Sequence, residues 1–444
     1  MKLVLALVLN AALLAALLPW LRYEWRACGS VWRAALVAGL VARFLLGNLR
    51  SAHPAFDASQ FDILGQLLTR QLWAHPAGAW QLMTGNTVRF AGSEFVFYGM
   101  SNTLFMGKLM AALNLASLGM PWLNGVYLSL LSFLGCWQMA RVLALVLPAT
   151  PAGAGLMGFV LWPSSNFWAA GLSKEAVLLG SGAWLTALVL ARIYGPPVVR
   201  SRWRAVWGWL GIAALALLHF QSRYFFAVPL LGGLVALALV QALQRWEWAR
   251  TRWAQALVLG AVVGMGTVVA PQVSIAFSVN KFTSQLLRIY NHDLESSAGR
   301  PHFNYSDLRP TPESILAHSP QAVFNTLTRP WLGEMAEPIY VAAGLENALL
   351  LALLAGALVA LVRGRGGRLP FALGLVLGGY CLLLAVLMGL STPNLGSISR
   401  YRSTLLPFFL LLLLQNDYAA TVLRRLGLCA PEGPALALSL GPAA

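Results

Sequence analysis

Charged side chains are scarce in this 444-residue chain: Asp, Glu, Lys and Arg together make up 10% of it, against about 25% in a soluble globular protein. That shortage, with 58% hydrophobic residues and a mean hydropathy of +0.68, excludes a soluble globular enzyme. Acids are scarcer than bases, 15 against 31, which leaves a net charge of +16. The excess does not mark a nucleic-acid partner or a disordered tail, because the cations stand in short clusters between apolar runs rather than on a polar surface. Cysteine is nearly absent. Cys28, Cys136, Cys381 and Cys429 lie in or beside apolar runs without paired or metal-like spacing, so neither a disulfide framework nor a zinc site is expected. There is no internal repeat at a fixed period and no Walker, Rossmann or zincin motif. The linkers are too short to separate soluble domains, so residues 1–444 read as a single polytopic membrane domain.

What is present is a series of apolar runs. A bilayer core of roughly 30 Å takes about 20 apolar residues in a helix, and eleven such runs can be marked: 3–20, 30–48, 121–140, 154–172, 175–194, 205–219, 224–243, 255–275, 340–362, 370–390 and 404–422. The expected fold is therefore all-α, a polytopic transmembrane helical bundle of about eleven helices. The first run is followed by Pro19-Trp20-Leu21-Arg22, which offers no small-residue cleavage pattern, so it is expected to remain as a helix. Short basic loops recur: Arg22, Arg26 and Arg33; Arg192, Arg200, Arg202 and Arg204; Arg245, Arg250 and Arg252; Arg363, Arg365 and Arg368; Arg424 and Arg425. Eleven crossings put all five on one side, which the positive-inside rule assigns to the cytoplasm.

The same parity leaves two long segments on the outer face, 49–120 and 276–339, which hold most of the acids, among them Asp57, Asp62, Glu94, Asp293, Glu334 and Glu337. Loops of that length are usually functional. Residues 95–118 are apolar but interrupted, the pattern of an interfacial helix on the outer leaflet.

Four polar clusters stand out, since ionisable residues near membrane depth cost about 2.5–3.5 kcal/mol each and so face a protein interior or a wet cavity. In the first, Asp57 and Asp62 precede an amphipathic stretch from Ile63 to Trp73. One carboxylate could take a proton from an attacking hydroxyl while the other orients it or holds a cation; alternatively Asp57 caps the following helix and Asp62 is solvated. In the second, Pro163 should break the fourth run, and Lys174 and Glu175 open the fifth. Lys174 suits a phosphate, with Trp162 and Trp168 as stacking or headgroup-level anchors, or else the pair is a snorkelling helix start. Arg223, in the four-residue turn after 205–219, joins the same outer face. The third cluster holds Arg329, Glu334 and Glu337, with Arg329 and Glu334 able to pair across the long loop. Glu346, just beyond, calls for a partner such as Arg400 or Arg402. The fourth runs through Asn394, Arg400 and Arg402; arginines at an outer mouth call for an anionic partner, either a lipid-linked phosphate or an outer-loop acid. The six histidines show no helical metal-pair spacing, and a divalent cation held by carboxylates and phosphate stays open.

In combination, Pro163 through Glu175, Arg329-Pro330-Trp331-Leu332-Gly333-Glu334, Leu345-Glu346-Asn347 and Pro393 through Arg402 resemble a group of uncharacterised polytopic membrane proteins of bacterial surface-polysaccharide loci, over roughly residues 95–415. More distantly the layout is similar to the GT-C superfamily of membrane glycosyltransferases. That resemblance implies inverting sugar transfer from a polyprenyl-linked donor on the outer face of the bacterial inner membrane, with an acid of the first outer loop as base; Asp57 and Asp62 match that placement. The chain departs from the pattern in an extra helix before that loop and in having no adjacent Asp-Glu pair. The reading that follows is a glycosyltransferase acting on a glycan or lipid acceptor. Lys174, Arg223, Arg400 and Arg402 would hold donor phosphate, Glu334 and Glu337 would border the sugar, and Glu175, Arg329 and Asn394 would complete the binding residues. The alternatives are an O-antigen-type polymerase or ligase centred on Arg400 and Arg402, and a lipid-linked sugar transporter or flippase.

Overall fold

The computed structural model describes residues 1–54, 56–90, 93–196 and 201–428; Arg200 and Cys429 lie outside the described residues. Along the chain the elements are α1 (Lys2–Ala27), α2 (Ser30–Ala52), α3 (Asp57–Ala74), α4 (Ala79–Thr84), β1 (Thr87–Phe90), β2 (Ser93–Val96), α5 (Asn102–Ser117), α6 (Pro121–Val146) and α7 (Ala152–Leu156). A π-helical turn over Met157–Leu161 follows, then α8 (Pro163–Trp168), α9 (Lys174–Ile193), α10 (Arg202–Ser222), α11 (Tyr224–Arg245), α12 (Arg252–Val273) and α13 (Val279–Glu295). The chain continues through α14 (Pro312–Thr328), α15 (Pro338–Val362), α16 (Phe371–Ser391), α17 (Leu395–Arg402), α18 (Leu406–Leu414) and α19 (Asp417–Arg425). The two strands form one antiparallel hairpin, Thr87 opposite Val96 and Phe90 opposite Ser93. The protein is an all-α, multi-pass membrane protein.

Among the described residues, nine helices are long and apolar enough to cross a membrane: α1, α2, α6, α9, α10, α11, α12, α15 and α16. The other two apolar runs of the sequence are helical but not continuous. The run 154–172 divides into a short apolar helix over Ala152–Leu161 and the single turn and a half of α8, because Pro163 has no amide hydrogen to extend the first piece and is well placed to start the second. The run 404–422 divides at Gln415, and α18 instead follows α17 across a short break with a bend of 64°. Apart from the β1–β2 hairpin, the segment 49–120 is largely helical, α3 lying against α5, and the face of α5 carrying Leu104, Met110 and Ala111 is buried. In 276–339, α13 and α14 both pack on α16.

The helices group into two compact units, one comprising Met1–Val146 and Phe159–Ala227, the other Leu147–Gly158 and Val228–Leu426. Lipid tails are as apolar as leucine, so close backbone packing takes over much of the work that the hydrophobic effect does in water. In the first unit, a Cβ on Gly135 of α6 would collide with the Gly180 carbonyl of α9, and Gly47 and Ser51 of α2 interlock with Ser129 and Gly125 of α6. Gly65 and Gly107 bring α3 and α5 together in the same way, against Met110 and Leu64 respectively. In the second unit, Gly389 of α16 meets the Ala322 backbone of α14. Next to it the Thr326 hydroxyl donates to the carbonyls of Ala322 and Ala385, both at 2.8 Å.

Candidate functional site

The first unit contains a segment, Trp162–Ser173, that leaves regular helix before α9 begins. Carbonyls released by such a break need partners at membrane depth. Two arginines of α2, seven residues apart on one face, supply them. Arg43, 1% exposed, donates from Nε to Asn166 Oδ1 at 2.7 Å and from Nη1 to the Ala169 carbonyl at 2.6 Å and to Ser132 Oγ. Arg50 Nη1 donates to the carbonyls of Phe167, Trp168 (3.0 Å) and Ala170 (2.9 Å), with its guanidinium over the rings of Phe167 and Trp168. The amides of Gly171 and Leu172 donate to Ser129 Oγ (2.8 Å) and Ser51 Oγ (3.0 Å). Gly171 holds a φ of +78° with Ser51 and Arg50 close by, a conformation that few other residues adopt at low cost.

This clamp fixes where α9 starts. Ser173 caps it, accepting from the Ala176 amide at 3.1 Å, and the next two residues point charged side chains into the protein. Lys174, 7% exposed, donates from Nζ to Asn102 Oδ1 at 2.8 Å and lies 4.9 Å over the Phe61 ring. Glu175, 1% exposed, faces Arg223 Nη1 at 3.8 Å, and the Arg223 guanidinium lies over Phe226. Phe61 belongs to an apolar cluster with Met106, Met110, Leu172 and Val177, so α3, α5 and the start of α9 meet there.

Beside Phe61 stands Asp62. It is 8% exposed; Oδ2 accepts from Gln66 Nε2 at 2.8 Å, whereas Oδ1 is buried and receives no hydrogen bond. Burial raises its carboxyl above the ordinary carboxylate range, and the Gln66 hydrogen bond offsets part of that rise. Asp57 lies in the first turn of α3, where the helix dipole favours a carboxylate. The N-cap itself is Phe56, with φ 51°, so Asp57 is not the capping residue.

The structure thus groups Asp57, Asp62, Lys174, Glu175 and Arg223 in the first unit, while Arg329, Glu334, Glu337, Asn394, Arg400 and Arg402 belong to the second. In the second unit Arg329 Nη2 pairs with Glu334 Oε1 at 2.7 Å and stacks on Trp331, whose amide donates to Glu334 Oε2. Arg402, 2% exposed, turns Nη1 onto the carbonyls of Thr326 (3.3 Å) and Arg329 (3.0 Å) and onto Asn347 Oδ1 (2.8 Å). It therefore ties down the C-terminus of α14 much as Arg43 and Arg50 tie down α8. Glu346 acts on Arg402 electrostatically, which meets the expectation of a cationic partner for that acid. Asn394 caps α17, accepting from the Ser397 amide at 3.0 Å and donating to Ser297 Oγ at 3.0 Å. Arg400 rests on the Tyr401 ring, and Glu337 is the exposed N-cap residue of α15.

Sequence reasoning missed Arg43, Arg50, Asn102 and Gln66, and also a buried ion pair in the first unit. There Arg141 Nε meets Glu24 Oε2 at 3.0 Å, and Trp137 Nε1 donates to the same oxygen. The signal for Arg43 was an arginine in the middle of an apolar run; Asn102 and Gln66 carry none, being ordinary polar residues of the segment 49–120. Among the described residues, no group of three or more His, Cys, Asp or Glu side chains is placed to hold a metal ion. Comparison with family models, characterised proteins and solved structures finds no match to the chain.

Proposed function

We propose that the chain is a membrane glycosyltransferase that moves a sugar from a polyprenyl-phosphate-linked donor to a glycan or lipid acceptor, on the outer face of a bacterial inner membrane, in envelope or extracellular polysaccharide synthesis. The observation that carries the reading is Asp62: a nine-tenths-buried carboxylate with one oxygen unpartnered and its proton affinity raised by burial. A general base benefits from that combination, since raised proton affinity brings it toward working pH. Lys174, whose ammonium lies over the Phe61 ring, and Arg223 supply positive charge for a donor phosphate and for the charge that develops on the leaving group. Glu175 holds Arg223 in place. Asp57 is the secondary carboxylate of the same helix.

The test is transfer of a labelled sugar from a polyprenyl-phosphate donor in membranes carrying Asp62→Asn or Asp57→Asn. Loss of product with normal protein levels supports the reading, and undiminished product from both variants removes it. Sidedness is checked with membrane-impermeant thiol reagents: Ser59→Cys, in the first turn of α3, should label from outside without permeabilisation. A second reading, an O-antigen-type polymerase or ligase, rests on the second unit, where a capped short helix carries Arg400 on its last turn. It makes Asp62→Asn silent and Arg400→Gln inactive. A flippase would move the labelled lipid across the membrane without transferring its sugar.

A further inference from the structure

An apolar groove of about 320 Å3 opens between α1 and α2. Its walls are Leu21 and Trp25 on α1 and Leu36, Val37, Leu40 and Val41 on α2, each row spaced so that its members share one helix face. Leu36 is fully buried and forms the floor, while Val37, Val41 and Trp25 remain about half exposed. Arg22 and Arg26 also line the groove. They stand one turn apart, and both are exposed.

Two features make this more than a lipid-facing surface. First, the charge is unopposed: among the described residues neither Arg22 nor Arg26 has a hydrogen bond or ion pair. Glu24, the acid between them, is buried on the opposite side with Arg141 and Trp137. Second, the Trp25 wall is held in place, because Arg33 donates from Nε to the Trp25 carbonyl at 2.7 Å and its guanidinium lies over the Trp25 ring. An apolar trough with two free guanidinium groups at its rim is complementary to a molecule with a long hydrocarbon chain and a phosphate head.

We propose that this groove binds an anionic phospholipid of the leaflet that meets the α1–α2 turn, one acyl chain lying along Leu36, Leu40 and Val41 and the headgroup phosphate held by Arg22 and Arg26. This site shares no residue with the sugar-transfer site and does not depend on that reading. Native mass spectrometry of the full-length protein in detergent, with equimolar phosphatidylglycerol and phosphatidylcholine of the same chains, tests it. The wild-type protein should retain phosphatidylglycerol selectively. The double variant Arg22→Gln/Arg26→Gln should lose about thirtyfold in retention, the loss expected for two arginines at an anionic headgroup, and Arg22→Lys/Arg26→Lys should keep most of it. Val41→Trp, which fills the trough and leaves both arginines in place, should weaken retention independently of the charge. Substituting Arg363 and Arg365, basic residues outside the groove, should change nothing. Equal retention of the two lipids by the wild type, or equal retention of phosphatidylglycerol by the wild type and Arg22→Gln/Arg26→Gln, would overturn the proposal.

Discussion

Replacing Asp62 with Asn separates stability from activity. The carboxylate is 8% exposed, with Oδ1 buried and unpartnered, and a buried polar atom without a partner costs about 1–3 kcal/mol, more when charged. Asn keeps the shape and the hydrogen bond from Gln66 but removes the charge, so the folded state should be no weaker and gain up to about 2 kcal/mol at neutral pH. If Asp62 is the base, the same change should slow transfer by about 10²–10⁴-fold. The two effects share one pH window. Burial raises the folded carboxyl above its unfolded value of about 3.9, so the folded state binds the proton more tightly than the unfolded chain does. Stability is then highest below the unfolded value and falls as pH rises toward the raised folded one, while activity climbs over the same interval as the carboxylate forms. Unfolding in mixed dodecylsulfate micelles, followed by tryptophan fluorescence, reads the first; labelled-sugar transfer across the same pH series reads the second. The wild type should show both trends and Asp62→Asn neither. A variant that loses several kcal/mol of stability, or that still extends glycan, refutes the reasoning.

Arg402→Met should destabilise the second unit by about 3 kcal/mol or more, because it strips a charged donor from two buried carbonyls and from Asn347. Lys at that position should not restore the loss, since a single ammonium group lacks the planar fork, and the same unfolding assay checks both. Gly135→Ala should force α6 and α9 apart against the Gly180 carbonyl, costing about 1–3 kcal/mol, whereas Gly232→Ala in α11, with open space around it, should be neutral or slightly stabilising; folded yield by size-exclusion chromatography distinguishes them. In the second unit His318 donates from Nδ1 to the Ser314 carbonyl at 2.7 Å and from Nε2 to Asp307 at 3.0 Å. The Ser314 carbonyl foremost, and Asp307 with it, raise its proton affinity above the ordinary imidazole value. The stabilisation is complete below the unfolded value of about 6.5 and fades as pH rises through the folded one. Asp307→Asn should shrink that dependence, as a melting series from pH 5 to 8 would record.

Much of the candidate site was legible because it consists of exceptions to an apolar background. Asp62, Lys174 and Glu175 stand out as charges beside membrane-length runs, and Pro163 announces a break since a residue without an amide hydrogen cannot continue a helix. What these residues do with their side chains was not legible. Arg402 and Arg400 look alike in sequence as two phosphate forks, yet Arg402 is turned onto backbone carbonyls of α14 while Arg400 rests on Tyr401. Arg43 lies within the run 30–48 and Arg50 just beyond it, with nothing nearby in sequence to name the carbonyls they bind, which lie more than a hundred residues away between Phe167 and Ala170.

By itself the sequence determined that this is an all-helical multi-pass membrane protein and where most of its helices lie, because the length of an apolar run and the position of a proline act locally, through hydrocarbon solvation and backbone hydrogen bonding. Only the tertiary structure decided that the last apolar run is divided at Gln415, that α3 and α5 pack as a pair beside the start of α9, and that Asp62 is left with a bare oxygen. Those outcomes depend on which backbones approach closely enough, at Gly65 and Gly107 or Gly47 and Gly125, and on which distant guanidinium group reaches a released carbonyl. Such contacts are properties of the packed chain rather than of any window along it.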